Sequence, residues 1–72
     1  MPVVAIERLV ADGPFDVGDT YEFTDDHPTA LERSREHFTG IIVEVAPIDD
    51  WRVRIKLELS DDEHERLLAS RR

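Results

Sequence analysis

The sequence predicts a mainly β fold, α+β in class: a four-stranded antiparallel sheet or small open β-barrel, with a short middle helix and a C-terminal helix. Three observations predict it. Residues 51–59, Trp51-Arg52-Val53-Arg54-Ile55-Lys56-Leu57-Glu58-Leu59, alternate apolar and charged without a break, the period of a half-buried strand. Clusters of Gly, Pro and Asp at 12–14, 16–19 and 47–50 punctuate the chain at strand-length intervals. Ser60-Asp61-Asp62-Glu63 is a capping box, the start signal of a helix.

The elements follow in order. Residues 2–11 read as a first strand, because Val3, Val4, Ala5, Ile6, Leu9 and Val10 are apolar and mostly β-formers. Asp12-Gly13-Pro14 breaks it. Phe15-Asp16-Val17-Gly18-Asp19 is a second turn, in which Gly18 can take a positive φ. Thr20-Tyr21-Glu22-Phe23-Thr24 is a second strand with Tyr21 and Phe23 on one face. Thr29-Ala30-Leu31-Glu32 matches a capping box and Gly40 stands where a helix end favours glycine, so a short helix is expected over 29–38, with an excursion loop as the alternative. Residues 40–46 read as a third strand and Pro47-Ile48-Asp49-Asp50 as a turn.

The fourth strand, 51–59, places Trp51, Val53, Ile55, Leu57 and Leu59 on one face and Arg52, Arg54, Lys56 and Glu58 on the other. Matching inward faces in a hairpin sets Val45 opposite Trp51, Val43 opposite Val53 and Ile41 opposite Ile55. It also puts Glu44 across from Arg52. In the final helix Leu67 and Leu68, with His64, form the expected buried stripe. Acids in its first turn and Arg71-Arg72 beyond its end suit the helix dipole.

Composition bounds the rest. The 72 residues are enough for one small domain, 1–72, and hydrophobic residues at 40% favour folding over disorder. There is no cysteine, hence no disulfide framework and no thiolate metal site. No apolar run approaches the ~20 residues of a membrane helix, and the first residues lack a basic stretch before an apolar core. A soluble cytoplasmic protein with no membrane partner is the expectation. Seventeen acids face nine bases, for a net charge of -8. The acids are dispersed rather than gathered in a tail, and Lys56 is the single lysine. This charge opposes polyanions at ordinary salt, and screening removes the opposition near molar salt, where the Debye length is about 3 Å. Dispersed acidity with almost no lysine resembles proteins adapted to salt-accumulating cytoplasms. A GC-rich genome that favours Arg over Lys is the alternative.

No catalytic grouping is visible, so no enzyme activity and no cofactor are expected. Ser60 is explained as a cap, and Gly13, Gly18 and Gly40 are too dispersed to cradle a phosphate. His27, His37 and His64 lack the spacing that puts two ligands on one helix face, so no metal site is expected. Two features are candidate contacts. Arg52, Arg54 and Lys56 recur every second residue, about 6.5–7 Å apart on a strand, a spacing that suits successive phosphates of a single nucleic-acid strand. The plainer reading is that they neutralise Glu44, Glu22 and Glu58 on the outer face. Trp51 reads first as a core anchor at the hairpin turn, and otherwise as an exposed hot spot.

Val17-Gly18-Asp19-Thr20-Tyr21-Glu22-Phe23 resembles the turn-to-strand step of small β-barrels of the Src-homology and KOW type, and 38–45 continues in that style. The resemblance spans about residues 3–59 and implies an architecture whose members often bind RNA or protein. Arg52 to Leu68 also resembles the strand and capped helix of ribbon-helix-helix DNA binders, in which Arg52, Arg54 and Lys56 would read the major groove. The chain departs from that pattern in having one helix after the strand where the family has two. The reading that emerges is a binding or assembly module that contacts protein or a second copy of itself. A nucleic-acid module using Arg52, Arg54 and Lys56 is the alternative.

Overall fold

The computed structural model describes residues 1–24 and 36–71. Four strands form one antiparallel sheet curled into a half-barrel: β1 (Val3–Leu9), β2 (Thr20–Thr24), β3 (His37–Pro47) and β4 (Arg52–Glu58). The helix α1 (Asp61–Ser70) follows. The sheet order is β1-β4-β3-β2, so β3 and β4 are central and β1 and β2 are the edges.

Alternation decides which side is buried. Val53, Ile55 and Leu57 of β4 point to the concave face with Leu59 just beyond, and the last three are fully buried. Ile6 of β1, Phe23 of β2, and Phe38 and Ile42 of β3 complete that face, and Leu67 of α1 covers it. The rings of Phe23 and Phe38, paired across β2 and β3, lie 5.9 Å apart. Hydrophobic burial at about 25 cal/mol per Å² makes this cluster the main source of stability.

Gly40 is central to that end of the molecule. A Cβ there would lie 2.6 Å from Leu59 Cδ2 and 3.1 Å from the Glu58 carbonyl oxygen. Its missing side chain is what lets β3 pass beneath the turn into α1. The expected role as a helix C-terminus is therefore corrected: Gly40 is a buried strand residue. Most of the expected middle helix, 29–35, lies outside the described residues. At its end, His37 and Phe38 are in β3, because pairing with Thr24 and Phe23 and burial of the Phe38 ring outweigh helical propensity. Among the described residues the other helical turn is a 3-10 turn, Val10–Asp12, which ends β1 earlier than the first-strand reading.

The β3–β4 register also differs from the expected one. Val45 faces Ile55, Ala46 faces Arg54 and Pro47 faces Val53; Val45 does not face Trp51. Nearer α1, Ile41 faces Glu58 and Ile42 faces Leu57, with a bulge at Val43. The bulge inserts one residue, so Ile42 and Val45 both point inward although three positions apart. Glu44 consequently faces Lys56, not Arg52, and pairs with it at 3.2 Å.

Two smaller expectations stand as read, and the third, a buried stripe of Leu67 and Leu68, is corrected at Leu68. Gly18 has φ 98°, and the turn it makes ends with the Gly18 N–H donating to the Ile42 carbonyl at 2.7 Å. Ser60 caps α1 by accepting the Glu63 N–H at 3.1 Å. Leu67 is buried, whereas Leu68 is 40% exposed because it lies a further 100° round the helix.

Candidate functional site

The site is built at the tip of the β3–β4 hairpin, at the end of the sheet away from α1. The turn is organised by one carboxylate. Asp49 accepts the N–H of Arg52 at 2.8 Å and of Trp51 at 3.1 Å. The same carboxylate receives the Arg52 guanidinium through Nε at 2.9 Å and Nη2 at 2.8 Å. Both nitrogens meet the same oxygen, Oδ2, while Oδ1 accepts the two backbone N–H groups. The guanidinium bond holds the Asp49 carboxyl below its ordinary range, and the two backbone N–H bonds add to the effect. Arg52 in turn is raised above its already high value, chiefly by the bond from Asp49.

This turn explains why Trp51 leaves the core. Its backbone is drawn into the Asp49 loop, so β4 begins at Arg52 and the inward alternation starts at Val53. The expected anchoring role is therefore corrected: Trp51 is 62% exposed. It is nevertheless held. The Val10 N–H donates to the Trp51 carbonyl at 2.9 Å. The Arg52 guanidinium carbon lies 5.2 Å from the indole centroid, within cation–π range. Leu9 and Val10, 45% and 48% exposed, stand at the same end. Beside them an open cleft of about 270 Å³ is lined by Glu7, Arg8, Leu9, Asp12 and Arg52.

The basic stripe lies on the convex face of β4, as its alternation predicts. Two of its three cations are engaged. Arg52 holds Asp49 and lies 3.8 Å from Glu7, and Lys56 holds Glu44. Arg54 stands between Glu7 of β1 and Ala46 of β3 in register and makes no ion pair among the described residues. The neutralising reading expected Glu44, Glu22 and Glu58 as partners. Glu44 is one, Asp49 and Glu7 are two others, and Glu22 instead lies 3.1 Å from His37 Nδ1. What remains is one unpaired guanidinium rather than a ladder of three.

Two residues were missed by sequence reasoning. Asp49 was read only as a turn former, although an aspartate three positions before an arginine at a hairpin tip is a recognisable local pairing. Arg8 sits at the inward parity of β1, after Val4 and Ile6. Its Nε donates to the Tyr21 hydroxyl and its Nη2 to the Thr24 carbonyl, both at 3.2 Å. It therefore bridges the two edge strands across the open side of the half-barrel. A lone arginine at an inward position of an apolar strand was the available signal. Among the described residues no three His, Asp or Glu side chains gather as metal ligands, and no helix is long and apolar enough to cross a membrane.

Comparison with known protein families, with curated proteins and with solved structures returned no match.

Proposed function

We propose that this chain is a non-enzymatic binding module that contacts a protein partner through the hairpin tip. One observation carries the reading: the single tryptophan is turned out to water and held there by backbone and side-chain bonds. Exposing an indole forgoes burial of a large apolar surface, and the Asp49 turn enforces that exposure. Trp and Arg are the residue types enriched at the energetic centres of protein interfaces, and here they are adjacent and stacked. Exposed Leu9 and Val10 extend the apolar part of the surface, and the cleft edged by Arg52 gives it relief. The acidic remainder of the chain limits what approaches elsewhere.

A photo-crosslinking amino acid placed at position 51 tests this reading against the same amino acid at Glu65, an exposed position on α1. The expected outcome is a discrete protein adduct from position 51 in the producing cells. Ala at Arg52 should diminish that adduct, and position 65 should give none. An adduct pattern common to both positions, or none at either, overturns the reading.

A further inference from the structure

The open edge of β1 has an ordered polarity that follows from two hydrogen bonds. The Leu59 N–H donates to the Pro2 carbonyl, and the Val10 N–H donates to the Trp51 carbonyl, both at 2.9 Å. Pro2 and Val10 therefore direct their backbone groups toward β4. By alternation so do Val4, Ile6 and Arg8. The N–H and C=O groups of Val3, Ala5, Glu7 and Leu9 are left pointing away from the sheet. Among the described residues these groups meet no neighbouring strand; the Glu7 carbonyl takes the Arg8 Nη1 at 2.6 Å. Side chains at the same four positions stand on the convex face, with Val3 and Leu9 well exposed. The strand has few of the usual protections of an edge: it is seven residues long, mostly apolar and free of proline within its span, and its charges are Glu7 and the inward Arg8, which also occupies the Glu7 carbonyl. The opposite edge, β2, is five residues with threonine at both ends, and its Thr24 carbonyl is occupied by Arg8.

We propose that the open edge of β1 pairs antiparallel with β1 of a second copy, about a two-fold axis at Ile6, to form one continuous eight-stranded sheet. Self-complementarity selects both the partner and the register. Only symmetric registers that match outward residues with outward residues can exchange backbone bonds. Centring on Ile6 overlaps the whole strand and sets Val3 against the partner's Leu9 and Ala5 against the partner's Glu7. Centring on Glu7 would instead put two glutamates face to face, which is destabilising. Local charge opposes pairing less at this edge than over the acidic remainder of the chain. On the strand beside it Arg52 and Lys56 are paired with Asp49, Glu7 and Glu44, and Arg54 offsets part of the net charge of -8. The overall repulsion between copies makes the association dependent on salt, strengthening as potassium chloride rises toward molar. This inference deepens the binding-module reading by naming one partner. It shares Leu9 with the hairpin-tip surface but does not use Trp51, so an adduct from position 51 and a V3C–L9C disulfide can each fail alone.

The test mixes two single variants, V3C and L9C, one carrying a heavy isotope so that the disulfide products differ in mass. Both positions are exposed, so each variant should keep the fold. Oxidation in molar potassium chloride is expected to give mainly the mixed V3C–L9C dimer, less of it in dilute salt. Ala5→Pro in both chains should abolish it, because it removes an outward N–H and leaves the bonds to β4 in place. If that variant melts early, N-methylation of Ala5 in a synthetic chain removes the same N–H without the ring. Statistical amounts of all three dimers, no dimer, or a mixed dimer that survives loss of the Ala5 N–H would each overturn the proposal.

Discussion

The two ends of the β3–β4 hairpin solve the same problem with different chemistry. At the α1 end, Gly40, Leu57, Leu59, Phe38 and Leu67 are buried together, and the turn into α1 passes close enough to β3 to exclude a Cβ at Gly40. At the tip, the chain is held by Asp49, Arg52 and a backbone bond from Val10, while the largest apolar side chain faces water. Burial holds the first end, so its side chains are committed to the fold. Polar bonds hold the second, so its tryptophan is free for another use. A residue's hydrophobicity alone does not decide its place; the backbone bonds of its own turn can override it.

The largest expected effect lies at the packed end. Leu67→Ala leaves a cavity under α1 and should cost about 2–5 kcal/mol, measured by urea unfolding. A loss below about 1 kcal/mol would mean that α1 contributes little to the core and that the contrast between the ends is overstated.

A smaller effect is expected at the tip, and its pH dependence identifies it. Asp49 has a depressed carboxyl in the folded chain. Its contribution is therefore complete above the unfolded value of about 3.9 and is lost as pH falls through the lower folded value. Asp49→Asn should be less stable than the natural chain near neutral pH, and the gap in melting temperature should close in strong acid. No gap at any pH would assign the turn to the backbone bonds alone, since asparagine can still accept them.

The smallest effect is expected at the tryptophan itself. Trp51→Ala should change stability by no more than about 0.5 kcal/mol, as for an exposed side chain outside the core. A loss above about 3 kcal/mol, typical of a buried aromatic, would return Trp51 to the core and remove the reason to place a contact surface there.

The stretch from Arg52 to Leu59 shows how much of this was legible. Strict alternation required a strand with Val53, Ile55, Leu57 and Leu59 on one side and the cations on the other, because only a two-residue period separates them. Ser60 and Glu63 marked the helix start because the unsatisfied N–H groups of a first turn need such side chains. Gly18 was legible because its turn needed a backbone conformation that few other residues accept.

The class of fold, the inward row of β4, the capped final helix and the convex position of Arg52, Arg54 and Lys56 follow from the order of residues alone. Local geometry and side-chain period are sufficient causes of all four. The outward turn of Trp51 is local, set by the bonds that Asp49 accepts from two and three residues on, and it is the turn geometry, not the residue period, that carries it. The β3–β4 register and the inward bridge made by Arg8 came only from tertiary contacts: the bulge at Val43, and the approach of the Tyr21 hydroxyl and the Thr24 carbonyl to β1. Neighbours far apart in the chain leave no periodic mark on it.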